Sequence, residues 1–234
     1  MKPGPLARLD PSRWLTGKRR WVRGAEWIVL LLAGALFALF IIPAVLAADA
    51  PSAQNASSRS PQPLAAAFKA GVFEPPHMAP DFTLQGSDGQ ALRLSRFRGK
   101  VVLLGFGFSS CTEVCPVTLD TLAKARRSLG ATAEDVQVLY ITVDPERDVP
   151  ERMKAYLRGF DPTFIGGSGT AAQLAAVQKS YGVQAEKRPS GDDYSYSHSS
   201  STFFIDRSGR LRAQMLYGHS PSDYAHDLKL LLKE

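Results

Sequence analysis

Cysteine is nearly absent from this chain. Its 234 residues contain only Cys111 and Cys115, so at most one internal disulfide is available and all thiol chemistry is confined to one place. Clustered positive charge is also missing from most of the sequence. Residues 1–26 hold seven Lys/Arg and two Asp/Glu, which accounts for +5 of the formal net charge of +6, while the remaining 208 residues carry 21 basic and 20 acidic groups. Binding a phosphate backbone by counterion release needs Lys and Arg gathered on the folded domain, so no nucleic-acid partner is expected. No internal repeat is present. The 44% apolar and 21% charged composition is that of a globular chain and excludes disorder throughout.

Charge is lacking altogether from residues 27–48, a 22-residue apolar run from Trp27 to Ala48. About 20 apolar residues cross a bilayer as a helix, so the run is expected to be a transmembrane anchor. The alternative is a cleaved signal peptide, because Ala44-Val-Leu-Ala-Ala-Asp-Ala50 offers the small residues that cleavage sites use. A signal core usually has about 7–15 apolar residues, and the longer run here favours the anchor. Lys18, Arg19, Arg20 and Arg23 precede the run and should hold residues 1–26 as a basic cytoplasmic tail, sending everything after Ala48 across the membrane. The expected location is the inner (cytoplasmic) membrane, single-pass, with the folded part on the periplasmic side. Residues 49–72 are rich in Ala, Ser, Pro and Gln without apolar period and are expected to be a flexible linker, leaving 73–234 as the folded domain.

Within that domain the pattern is α/β. Val101–Phe108 and Val136–Val143 are unbroken apolar runs of the kind found in strands buried on both faces. A helical pattern over about 116–129 lies between them and stops at Gly130; strand, helix and strand with a right-handed crossover make a parallel pair. Ser87-Asp-Gly-Gln90 predicts a hairpin turn, and further helices are expected over 150–158 and 170–181. Strands over 202–206 and 211–217 should form an antiparallel hairpin about Asp206-Arg-Ser-Gly209. Ser220-Pro-Ser-Asp223 then opens the last helix, with Ser220 as N-cap and Pro221 at the first position.

The two cysteines follow the first buried strand, in Phe108-Ser-Ser-Cys-Thr-Glu-Val-Cys-Pro116. Proline is tolerated only in a helix's first turn, so Pro116 places the helix start near Cys115, where free amides and the dipole should lower that thiol's pKa. If 111–115 were helical throughout, the side chains would stand ~5–6 Å apart at Cβ, too wide for a disulfide but suited to a bridging metal. Two thiolates alone leave a copper ion exposed, and imidazole is the natural third ligand. His198 lies in a polar loop, Tyr194–Thr202, that enters a strand, and strand ends are where α/β sheets place their sites. His77, His219 and His226 are expected to be surface or capping residues. Asp144, Glu146, Arg147 and Asp148 suggest a solvated turn with no metal role, and Asp192 and Asp193 a flexible acidic loop.

Three separated motifs, Gly105-Phe-Gly-Phe-Ser-Ser-Cys-Thr-Glu-Val-Cys-Pro116, Thr142-Val-Asp-Pro-Glu-Arg-Asp148 and Tyr196-Ser-His198 before Phe203-Phe-Ile-Asp206, resemble the Sco/SenC family of thioredoxin-like copper proteins over roughly residues 80–234. The resemblance implies a thioredoxin-like α/β fold with a central mixed sheet and flanking helices. It implies Cys111, Cys115 and His198 as copper ligands, with Cu(I) or Cu(II) as cargo. The implied function is maturation of the dinuclear copper centre of cytochrome c oxidase, the partners being that copper-centre subunit or other copper chaperones. Thiol redox activity of Cys111 and Cys115 is implied as well. An exported thiol-disulfide oxidoreductase is the rival, but such enzymes resemble Cys-x2-Cys in spacing and carry a proline where Ser199-Ser-Ser201 stands here. A peroxiredoxin is weaker still, since Phe108 occupies that family's proline position. A purely structural bridge would close only a tiny loop, with little entropic gain.

Overall fold

The computed structural model describes residues 67–234. The expected basic tail, the apolar run 27–48 and residues 49–66 of the expected linker lie outside them. Within the described residues the strands and helices run β1 (Gly71–Met78), β2 (Thr83–Gly86), β3 (Ala91–Arg93), β4 (Val101–Gly107), α1 (Val114–Arg127), β5 (Val136–Thr142), α2 (Pro150–Arg158), β6 (Ile165–Ser168), α3 (Ala171–Ser180), β7 (Ala185–Ser190), β8 (Asp193–His198), β9 (Ser201–Ile205), β10 (Arg210–Leu216) and α4 (Pro221–Leu231).

Eight strands form one mixed sheet in the order β1-β10-β9-β4-β5-β6-β2-β3. Every residue of β4 and β5 is buried, as their continuous apolar runs require. β4 and β5 are parallel in the register Val101↔Val136 to Gly107↔Thr142, and α1 makes the crossover between them. β9 pairs antiparallel with β4, so its start (Thr202↔Gly105) lies beside the end of β4. That antiparallel neighbour brings the segment before β9 to the loop after β4. Helices cover the sheet: α1 packs on α4, and α2 lies against β6. The last helix has the expected Ser220 and Asp223 capping box with Pro221 in its first turn.

Several elements depart from the sequence expectations. The fold begins before residue 73: the amides of Lys69 and Ala70 donate to the Asp227 carboxylate at 2.8 and 2.9 Å, and β1 starts at Gly71. β1 carries Pro75 and Pro76, which an edge strand with an irregular register tolerates. β6 is half glycine and gives no strand signal, yet a Cβ on Gly167 would come within 2.5 Å of Ile141 and 2.9 Å of Leu92. Close approach of the neighbouring strands, not propensity, sets that residue. The expected polar loop 194–202 instead contains β8, which pairs with β7 in a separate two-stranded sheet. Neither strand has a buried face, so neither shows the alternation that marks a half-buried strand.

Candidate metal centre

The centre is built where β4 and β5 end. After β4 the chain turns through a Cys111 amide bond to the Phe108 carbonyl at 3.3 Å and enters α1 at Val114. The α1 N-cap, Glu113, makes no side-chain cap. Cys111 supplies the missing acceptor, its Sγ taking the Cys115 amide hydrogen at 3.4 Å, so the thiol satisfies one of the helix's orphan donors.

Asp148, only 1% exposed, fixes this loop from the adjacent strand end. Its carboxylate accepts the Ser109 amide at 2.9 Å, the Ser109 hydroxyl, and the Thr142 hydroxyl at 2.7 Å. Arg152 adds bonds to the Ser109 and Ser110 hydroxyls at 2.7 and 2.8 Å. Asp144 is likewise fully buried and paired with Arg147. The expected solvated turn is therefore a buried polar anchor: carboxylates removed from water are stable only with donors, and these two have them. Asp193, expected in a flexible loop, lies on β8 and pairs with Arg147 at 3.1 Å.

Cys111, Cys115 and His198 meet at one cleft. Cys115 is 1% exposed and its Sγ lies 3.6 Å from His198 Nε2, while Cys111 is half-buried at the surface. His198 Nδ1 is 3.0 Å from the Ser199 carbonyl, which can only accept. In the neutral ring Nδ1 therefore carries the hydrogen, leaving the Nε2 lone pair directed at the cysteines. Phe108 meets the rings of His198 and Tyr196 edge-on at 5.9 and 5.8 Å. The cleft, about 430 Å³, is lined by Phe108, Cys111, Glu113, Tyr196 and His198 among others.

The two thiols differ. A hydrogen bond from Cys115 is the largest influence on Cys111 and pushes its pKa far down; partial burial opposes this, while the Cys115 and Glu113 amides add to it. Cys115 is pushed up, first by its neighbour Cys111 and then by burial. The sequence expectation assigned the lowered pKa to Cys115. It belongs to Cys111, because residues 111–113 precede the helix and the Cys111 sulfur takes the hydrogen bond of the Cys115 thiol and, beside it, the Cys115 amide. For the same reason the spacing expected of a continuous helix does not apply to this pair.

Tyr140 was not anticipated as part of the site. Its fully buried ring crosses the glycine face of β4, and its hydroxyl lies against Cys115, burial and that contact raising its pKa. Gly105 and Gly107, two apart on β4 and beside Tyr140 on β5, were the available signal. The other histidines lie elsewhere: His77 on β1 against Phe73, His219 beside Asp223, and His226 bonded to the Ala67 carbonyl.

The family described as SCO1/SenC matches residues 72–233. An SCO2-like protein of Rickettsia felis is 33% identical over 153 residues, covering 64% of this chain and 74% of its own. Bradyrhizobium japonicum ScoI, solved with copper bound, is 37% identical with a TM-score of 0.62, covering 66% of this chain and 99% of its own. BsSco, described as a member of the Sco family of cytochrome c oxidase assembly proteins with a disulfide switch, is 25% identical with a TM-score of 0.55, covering 66% of this chain and 93% of its own.

Proposed function

Because this chain belongs to the SCO1/SenC family, we propose that it is a membrane-tethered copper chaperone whose Cys111, Cys115 and His198 hold the metal, and that it supports maturation of the dinuclear copper centre of cytochrome c oxidase. The observation that carries this is the approach of His198 Nε2 to Cys115 Sγ at 3.6 Å, with the Cys111 sulfur alongside on the Cys115 amide. Two soft sulfurs and one imidazole suit Cu(I), and the imidazole also accommodates Cu(II). The half-buried Cys111 thiolate is the first donor an incoming ion meets. Cys115 gives up its proton on coordination, so uptake releases acid. His198 offers its Nε2 lone pair, and an open cleft lets a partner's ligands exchange in. The partner would be the copper-centre subunit or another copper chaperone.

Copper titration of the reduced full chain tests this, with Cys111→Ser, Cys115→Ser and His198→Ala alongside. One copper per chain, lost from the cysteine variants and sharply weakened in His198→Ala, is expected. Undiminished affinity in His198→Ala would remove that residue from the site. The tether is proposed at residues 27–48 in the inner membrane, with the folded domain on the periplasmic side. Membrane fractions should then retain an intact N-terminus, and a soluble form starting near Ala48 would overturn the anchor.

A second reading, thiol-disulfide exchange with partner cysteines, draws support from the asymmetry of the pair. An accessible thiolate beside a buried, protonated thiol is the arrangement of an attacking and a resolving cysteine. A chain that retains no copper yet forms a readily exchanged Cys111–Cys115 disulfide would make this the function.

A further inference from the structure

Hairpin β7–β8 carries His198 yet forms a sheet of its own, without ladder bonds to the eight-stranded sheet. β7 is exposed along nearly its whole length and β8 is only half-buried, with Ala185 and Tyr196 packed against the core, so apolar burial holds the hairpin only in part. At its base the Ser199 amide bonds to the Gln184 carbonyl at 2.9 Å, which closes the hairpin on itself but leaves the direction of the arm to other contacts.

Those contacts come from the turn after β5. Arg147 donates from Nη1 to the Asp193 carboxylate and from Nη2 to the Tyr194 carbonyl, both at 3.1 Å. Its guanidinium lies over the Tyr194 ring, 3.8 Å from the centroid. The Tyr194 hydroxyl in turn donates to Asp144 Oδ1 at 3.1 Å, and the same buried carboxylate pairs with Arg147. Lys187 and Glu146 add an exposed ion pair, which contributes little. At the other end of this turn Asp148 holds the cysteine loop through Ser109. One turn, Asp144-Pro-Glu-Arg-Asp148, thus grips both the loop bearing Cys111 and the hairpin bearing His198.

We propose that Asp144, Arg147 and Tyr194 form a clamp that sets the direction of the β7–β8 arm and so the place of His198 relative to the cysteines, making them positioning residues for copper capture. The copper part of this rests on the function proposed above. A planar, two-pronged guanidinium bonded to one side chain and one carbonyl is directional in a way that the ring contacts of Phe108 are not. Apparent affinity scales with the fraction of molecules whose hairpin is correctly placed. Releasing the arm so that about one molecule in ten is competent weakens binding about tenfold.

The test uses the full chain as wild type, Arg147→Ala, Tyr194→Phe, His198→Ala and the Arg147→Ala/His198→Ala double variant. Two quantities are read: amide hydrogen exchange over residues 193–198 without metal, and Cu(I) affinity by competition with a chromophoric chelator. Exchange should accelerate in Arg147→Ala and, less strongly, in Tyr194→Phe, with Cu(I) affinity falling about tenfold in Arg147→Ala. The double variant should bind no more weakly than His198→Ala alone, because the clamp acts through His198. Unchanged exchange in both clamp variants, or a further fall of affinity in the double variant, overturns the proposal. A wild type that takes up no copper while Arg147→Ala still frees the hairpin overturns the copper reading and leaves the clamp standing.

Discussion

Gly107 is the last residue of β4, and adding one methyl group to it tests how tightly the site is packed. A Cβ at this position would stand 2.0 Å from the Tyr140 hydroxyl, 2.7 Å from its Cζ and 2.8 Å from Cys115 Sγ, whereas ordinary contact begins at 3.4 Å. The hydroxyl would have to retreat by about 1.4 Å in a close-packed interior. Tyr140 is 1% exposed, on a strand paired on both sides, so the ring has no free space to enter. Overpacking of this kind costs about 1–3 kcal/mol. For a domain of this size each kcal/mol lowers Tm by roughly 2–4 °C, so Gly107→Ala should melt roughly 2–12 °C below wild type. Thermal unfolding of the reduced protein, followed by circular dichroism, reads this directly. Adding Tyr140→Phe removes the atom at 2.0 Å but leaves the ring carbon at 2.7 Å, so the double variant should recover part of the loss. An unchanged Tm in Gly107→Ala, or no recovery in the double variant, refutes the packing argument.

Cys115→Ala removes the largest influence that depresses the Cys111 pKa, so that pKa should rise towards the ordinary thiol value of ~8.5, read by thiolate absorbance or alkylation rate against pH. The linkage has a definite sign. Cys111 titrates lower folded than unfolded, so its thiolate contributes stability that is complete above ~8.5 and is lost as pH falls through the folded value. Cys115→Ala should therefore flatten the acid side of the stability profile, and an equally steep profile would count against the assigned cause. Asp148→Ala leaves the Ser109 amide and the Ser109 and Thr142 hydroxyls without their acceptor, which should cost roughly 2–4 kcal/mol in urea unfolding. A loss below about 1 kcal/mol would mean that water replaces the carboxylate and that Asp148 does not anchor the loop.

Much of this protein is decided by local pattern. β4 and β5 are legible as unbroken apolar runs because both of their faces are buried. Helix α2 and the capped start of α4 are legible because proline and serine act within one turn. With just two cysteines, the position of the thiol chemistry required no fold at all. Tertiary structure alone decided the rest. Which of Cys111 and Cys115 carries the thiolate depends on which sulfur the other thiol and the first helical amide bond to, a matter of ångströms that four-residue spacing does not specify. Hairpin β7–β8 has no buried face and so no periodic signature; an arginine from a turn 46 and 47 positions before its partners holds it. The charged residues of that turn are indistinguishable from a solvated loop until the sheet brings Ser109, Thr142 and Tyr194 to them. Hydrogen bonds between residues distant in sequence, unlike apolar periodicity, leave no trace in the order of the residues that make them.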